Sequence, residues 1–295
     1  MNIHDLSQSF KRYALHEKEL MPKTVQEIFR AIRGLDKCFE ELKIESLTIA
    51  HIRQYLYEQK ESRLWSSRTL RNHRQYLNTF FTWCEKEGHI KENPVAKIER
   101  PKLPKTLPRF ITKEQSYSIL YHAEYYPWRY RFERVRNVAI MAMFLMTGLR
   151  LNELINVQVQ DVDLNAQEIL VRKGKGRKER IVPIYPKLER VLRTYAEERQ
   201  KLSKPTPWFF HSAKSDKRMT GKTVQKVCQK ISKQAKVKFT PHMLRHTFGH
   251  LSTNAGLGVY QIKEIMGHAN LSSTEIYLSV SKDALKRSMY AVELL

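Results

Sequence analysis

Val157-Gln-Val-Gln-Asp161-Val-Asp-Leu-Asn165-Ala-Gln-Glu168-Ile-Leu-Val171-Arg-Lys-Gly174-Lys175-Gly-Arg-Lys-Glu-Arg180-Ile-Val-Pro183-Ile184 is the stretch of this chain in which apolar residues alternate instead of recurring every three or four positions. Three β-branched runs stand out in it: Val157-Gln-Val159, Glu168-Ile-Leu-Val171 and Arg180-Ile-Val182-Pro183. Turn residues at Asn165 and Gly174 divide them, so the pattern predicts a small antiparallel sheet. What lies on either side reads as helix, and the expected fold is mainly α with a small antiparallel β-sheet.

Upstream, from Leu6 to about Glu99, apolar residues keep helical spacing, as in Ile28, Ile32, Leu35 and Phe39, then Leu77, Phe80, Phe81 and Cys84. Four or five helices fit. Asn93-Pro94 and then Pro101-Lys-Leu-Pro104-Lys-Thr-Leu-Pro108 break the helix repeatedly and mix proline with lysine, the composition of an extended basic linker. The expected organisation is an N-terminal helical bundle over residues 1–100, a linker over 101–109, and a C-terminal α+β domain over 110–295. In the latter, Thr112-Lys-Glu-Gln115 is a helix start and Val135 to Leu145 a buried helix. After the sheet, helices are expected near Leu188–Lys201, Gly221–Gln234, His242–Ala255, Val259–Met266 and Asp283–Leu294.

At 295 residues the chain is long enough for two domains with their own cores. Its net charge of +23 is unevenly spread. Residues 1–100 carry 18 Lys+Arg against 14 Asp+Glu, and residues 101–295 carry 35 against 16. The excess points to a polyanionic partner on the second half, although charge alone also fits a ribosomal or membrane-surface protein. Cys38, Cys84 and Cys228 are scattered and odd in number, which argues against a disulfide framework or zinc knuckle and for a reducing cytoplasm. The N-terminus has no apolar leader core, and the longest apolar run, Val138 to Met146, is too short for a membrane span. A soluble, cytoplasmic protein is expected.

Five residue patterns in the second half carry chemistry. Arg150 in Thr147-Gly-Leu-Arg150-Leu-Asn-Glu153 has a carboxylate three residues on, on the same helix face. Arg245 stands beside His242 in Pro241-His-Met-Leu-Arg245-His. A guanidinium donates bidentately to phosphate and never loses its proton near neutral pH. Lys175, between two glycines on a predicted turn, suits a general acid delivered on a close-approaching loop. Ile-Met-Gly-His268 lies nine positions before Tyr277. Together these groups suggest attack of a phenolic oxygen on a DNA phosphate, whose growing charge needs fixed donors in a site closed to water.

With these motifs in this order, the chain resembles the tyrosine recombinase (phage integrase) family, and most closely its short two-domain Xer-type members. The resemblance covers nearly the whole chain. It implies a SAM-like core-binding domain followed by a tyrosine recombinase catalytic domain. It implies that Arg150 and Arg245 hold phosphate oxygens, that Lys175 is the general acid for the 5′ oxygen and that His242 assists proton transfer. His268 then donates to the phosphate, Glu153 orients its surroundings, and Tyr277 is the nucleophile that forms a 3′-phosphotyrosyl link. Bond energy is kept in that link, so neither ATP, metal nor another cofactor is expected. The implied partners are duplex DNA with inverted repeats and a homotetramer that exchanges strands through a Holliday junction, built from a monomer or weak dimer. An accessory recombinase or directionality factor belongs to the same implication. Leu285, Met289 and Val292 form an apolar stripe near the chain end, which the family precedent docks on an adjacent protomer. Gly249-His250 and Leu278-Ser279 depart from the residues usual beside the second arginine and the tyrosine, without touching a reacting group.

Blander readings compete at each position. His242, His246 and His250 recur every fourth residue, but no Glu completes an HExxH pattern and Arg245 would set a fixed charge beside a metal ion. Gly174-Lys175-Gly176 lacks P-loop spacing. Tyr277 is one of 14 tyrosines, singled out by its place behind His268, with Tyr260 and Tyr290 as weaker rivals. The aromatic run Tyr125-Tyr126-Pro127-Trp128-Arg129-Tyr130 suits packing on its own domain better than base stacking. Two other functional classes remain at this point. A type IB topoisomerase shares the chemistry without site preference, and a non-catalytic DNA-binding regulator needs only the basic surface.

Overall fold

Side-chain caps decide where the first helices begin. In the computed structural model, which describes residues 2–40, 42–104, 109–172, 179–202, 206–213 and 215–267, Asn2 accepts from the His4 amide at 2.9 Å and starts α1 (Ile3–His16). A proline at the first turn opens α2 (Pro22–Cys38), Thr48 caps α3 (Ile49–Ser62), and Ser66 caps α4 (Ser67–Lys86). Residues of both expected stripes are buried: Ile28, Ile32, Leu35, Leu77, Phe80, Phe81 and Cys84 all lie in one core. Phe10 meets Phe80 edge to face at 5.5 Å within it. Phe39, the C-cap of α2, is half-buried and packs against the same core. Buried Arg74 donates to the carbonyls of Ile98 and Val95 at 2.8 and 3.0 Å, which ties the segment after α4 back onto the bundle.

The chain divides into two compact units between Thr106 and Leu107. In the second, Thr112 and Gln115 form a reciprocal capping box at the start of α5 (Lys113–Tyr125). Next comes α6 (Arg131–Thr147), longer than expected and buried on most sides, with Ala139, Ile140, Ala142, Met143 and Phe144 fully enclosed. It is the central element, packed against α5, α8 (Pro186–Gln200) and α10 (Pro241–Asn254). The short α7 (Leu151–Asn156), α9 (Gly221–Ala235) and α11 (Val259–Met266) complete the described helices. The helix expected over Asp283–Leu294 lies outside the described residues.

The sheet is antiparallel in the order β1 (Val162–Asp163), β2 (Glu168–Val171), β3 (Arg180–Pro183), with Ile169 opposite Val182. Ile169, Val171 and Val182 face the core while Ile181 is exposed, the alternation that a one-sided sheet requires. The first strand corrects the expectation of Val157–Val159. Asp161 accepts from the Gln158 amide at 2.9 Å and winds Val159–Asp161 into a 3₁₀ turn. Val159 and Val157 bond instead to Pro207 and Phe209, so the alternating pattern is spent on a different pairing.

Candidate active site

Thr147 ends α6 and Gly148 takes the left-handed conformation at φ 62°. That turn delivers Arg150 to the N-cap of α7, not to its face as the spacing predicts. Glu153 still reaches it, through the cap. One carboxylate oxygen accepts from the Arg150 backbone N–H at 2.8 Å and the other from its Nη1 at 2.7 Å. Arg245, on α10, is 2% exposed. It donates to the Gly148 carbonyl at 2.5 Å and to the Met266 carbonyl at 2.8 Å, and its Nη1 stands 3.9 Å from Glu153. Two arginines 95 residues apart in sequence thus converge on one acid and one turn.

A third arginine completes the cluster, and sequence reasoning missed it. Arg180, the first residue of β3, spans Glu153 with Nη2 at 2.9 Å and Nη1 at 3.2 Å, and its Nε donates to the Ile265 carbonyl at 2.7 Å. The signal was strand parity. Arg180 lies two residues from buried Val182, hence on the inward face, where a cation needs a carboxylate partner.

All three guanidiniums meet the C-terminal end of α11. Ile265 accepts from Arg180, Met266 from Arg245 and Arg150, and Gly267 from Arg150 at 2.8 Å. These are carbonyls that a helix leaves unpaired, at the negative end of its dipole. Gly267 itself must be glycine. Its φ is +64°, and a side chain there would meet the Arg180 guanidinium at 2.8–3.1 Å. His268 is the next residue in the chain; it, Lys175 and Tyr277 lie outside the described residues.

Burial pushes the Glu153 carboxyl up, but hydrogen bonds and charge from Arg180, then from Arg150, outweigh it and hold the group at about 2. His242 is lowered by partial burial and then by Arg245 and Arg150, which favours its neutral form beside them. His246, edge-on to His242 at 4.5 Å between ring centroids, is lowered to about 4 by burial, His242 and Arg245. His250 stacks on Phe110 at 3.8 Å. Among the described residues no three His, Cys, Asp or Glu side chains come together as a metal-binding group. In the aromatic run, Trp128 packs on the core and donates to the Ala123 carbonyl at 2.8 Å, while Tyr125 is 71% exposed. No described helix is long and apolar enough to cross a membrane.

Chemically, three cations against one anion make a site that attracts a further negative group, with a neutral imidazole at its edge. The model of the phage integrase family matches residues 109–284. The chain is 31% identical to the tyrosine recombinase XerC of Oceanobacillus iheyensis, over 95% of this chain and 93% of that one. It is 30% identical to the XerA of Pyrococcus horikoshii over 99% and 94%. Among solved structures, XerA recombinase aligns with a TM-score of 0.55 at 25% identity, covering 98% of each chain. The XerH recombinase bound to a palindromic difH substrate shares the fold at a TM-score of 0.76 and 20% identity, over 96% and 84%.

Proposed function

The chain belongs to the phage integrase family and is a Xer-type tyrosine recombinase, an enzyme of DNA strand breaking and rejoining, and on that premise we propose that it works through a covalent 3′-phosphotyrosyl intermediate. The observation that carries the site assignment is the convergence of Arg150 and Arg245 around Glu153. The Tyr277 oxygen bonds to phosphorus as the bond from phosphorus to the 5′ oxygen breaks. Lys175 gives its proton to that oxygen, which leaves as a hydroxyl, and neutral His242 takes the phenolic proton. Arg150, Arg245 and His268 hold the non-bridging oxygens, and Glu153 keeps Arg150 in place. Reversal of these steps with a different 5′ hydroxyl rejoins the strand, so phosphodiester energy is conserved.

Residues 110–295 form the catalytic domain, residues 1–100 the core-binding domain that adds DNA contacts, and 101–109 the basic linker. The partner is duplex DNA carrying inverted repeats, bound by a homotetramer that passes through a Holliday junction. XerH is described bound to its difH site, and duplex DNA of that kind fits the basic second half of this chain. The test is covalent capture on duplexes selected from a randomised nicked pool. The expected adduct carries a 5′ end that polynucleotide kinase labels without prior phosphatase. A tyrosyl link on the 5′ side, or an adduct formed without sequence preference, overturns the reading.

A further inference from the structure

We infer that Arg180 is a positioning residue for recombination: by neutralising Glu153 it leaves Arg150 and Arg245 their full double charge for the phosphate. The inference rests on the reading that those two arginines hold the scissile phosphate.

The site holds more cation than its own carboxylate requires. Glu153 already has Arg150 on both its oxygens, by backbone and side chain, and Arg245 near one of them. Arg180 nonetheless bridges both oxygens from strand β3, and its side chain is 14% exposed against 30% for Arg150. The more enclosed guanidinium therefore faces the acid squarely, while the more open one also presents itself outward. Arg180 further spends its Nε on Ile265, so it ties β3, α7 and the end of α11 together. It keeps the carbonyls that receive Arg150 and Arg245 in register with Glu153.

The charge count gives the arrangement a purpose. Three guanidiniums and one carboxylate sum to two positive charges. A phosphodiester carries one negative charge, and the pentacoordinate phosphorane formed by a phenolate carries two. With Arg180 the cluster of guanidiniums and carboxylate carries as much charge as the phosphorane; without it that cluster matches only the resting diester, while Lys175 and His242 handle the protons in transit. Interactions stronger in the transition state than in the ground state are the ones that raise rate. Arg180 should thus affect cleavage more than site binding.

Substituting a methylphosphonate at the scissile position replaces one charged oxygen by a methyl group and lowers the phosphorane charge to one. On an ordinary diester, Arg180→Gln should slow cleavage on the order of tenfold to a hundredfold, below the loss of a direct donor. Affinity for the intact site should stay within about threefold, as expected of a group acting mainly in the transition state. On the methylphosphonate duplex the defect should shrink to within about threefold, because the charges again match. Arg180→Lys, which keeps the charge but not the fork, should recover most of the diester rate. The double variant Glu153→Gln with Arg180→Gln restores the count of two and leaves no unpaired buried carboxylate. It should show the same defect on both substrates, and it carries the test if Arg180→Gln alone melts below assay temperature. Equal defects of Arg180→Gln on the two substrates, or a double variant whose defect is larger on the diester, overturn the proposal. Failure of the wild-type protein to form an adduct on either duplex overturns the underlying recombinase reading, and is recognised because no substitution is involved.

Discussion

The ring of Phe248 on α10 lies where a side chain at Gly148 would have to go, so the turn that presents Arg150 is closed against the helix that presents Arg245. Gly148 also has φ 62°, and its carbonyl accepts from Arg245. Gly148→Ala therefore meets two penalties, a left-handed backbone and a clash with an enclosed ring. A loss of about 1–3 kcal/mol is expected. Thermal melts of the variant should drop by several degrees; an unchanged melting temperature would show that the turn is not under this constraint.

Tyr277→Phe removes one oxygen and little else. Covalent adducts on a nicked suicide duplex should vanish while specific DNA binding persists, because the ring is kept and only the nucleophile is gone. Adduct yield at the wild-type level would assign the attack to another residue.

Lys175→Ala should slow cleavage of ordinary DNA by about a hundredfold or more, the usual scale for a lost general acid. A 5′-phosphorothiolate leaves without being protonated, so it should restore the variant's rate. If both substrates suffer equally, Lys175 serves binding and not acid catalysis.

Acid should destabilise the second unit across two pH windows. His246 is lowered to about 4 in the folded chain from an ordinary 6.5, so the unfolded chain binds the proton first. Its contribution is whole above 6.5 and is lost as the pH falls towards 4, on the order of 2 kcal/mol once solvent screening is allowed for. Glu153 is lowered to about 2 from an ordinary 4.5, and its contribution is lost as the pH falls between those values. Melting temperatures recorded from pH 7 to 3 should decline across both windows, and His246→Gln should shrink the upper decline, leaving the share of His242 and His250, which are lowered in the same direction. An upper decline as large in His246→Gln as in the wild type would place the main titration elsewhere.

Deleting residues 283–295 removes the apolar stripe of Leu285, Met289 and Val292. If that stripe docks on a neighbour, the truncated protein should fold and bind one site, yet form no synaptic tetramer and exchange no strands. Recombination at the wild-type rate would place the tail on its own domain.

Much of the scaffold was legible because its signals are local. Helix periodicity located Ile28, Ile32 and Leu35 in the core, Thr112 with Gln115 announced α5, and alternation found β2 and β3. Where the pattern misled, a longer-range contact overrode it. Val157 and Val159 alternate like a strand, but their backbones are claimed by Pro207 and Phe209, some fifty residues on.

The site divides along the same line. Residue type and order were enough to nominate Arg150, Glu153, His242 and Arg245, since guanidinium, carboxylate and imidazole carry their chemistry wherever they are placed. Helical spacing pointed to an ion pair between Arg150 and Glu153, though the turn at Gly148 makes it a cap instead of a shared face. Strand parity marks Arg180 as inward-facing, but only tertiary structure shows that its carboxylate is Glu153, 27 positions away in sequence. Nor could any local pattern reveal that the last carbonyls of α11 receive all three guanidiniums. Sequence sets which groups a chain can offer and how each segment curls. Packing of β3, α7, α10 and α11 decides which charges share one carboxylate, because that depends on distances in space that no spacing in sequence encodes.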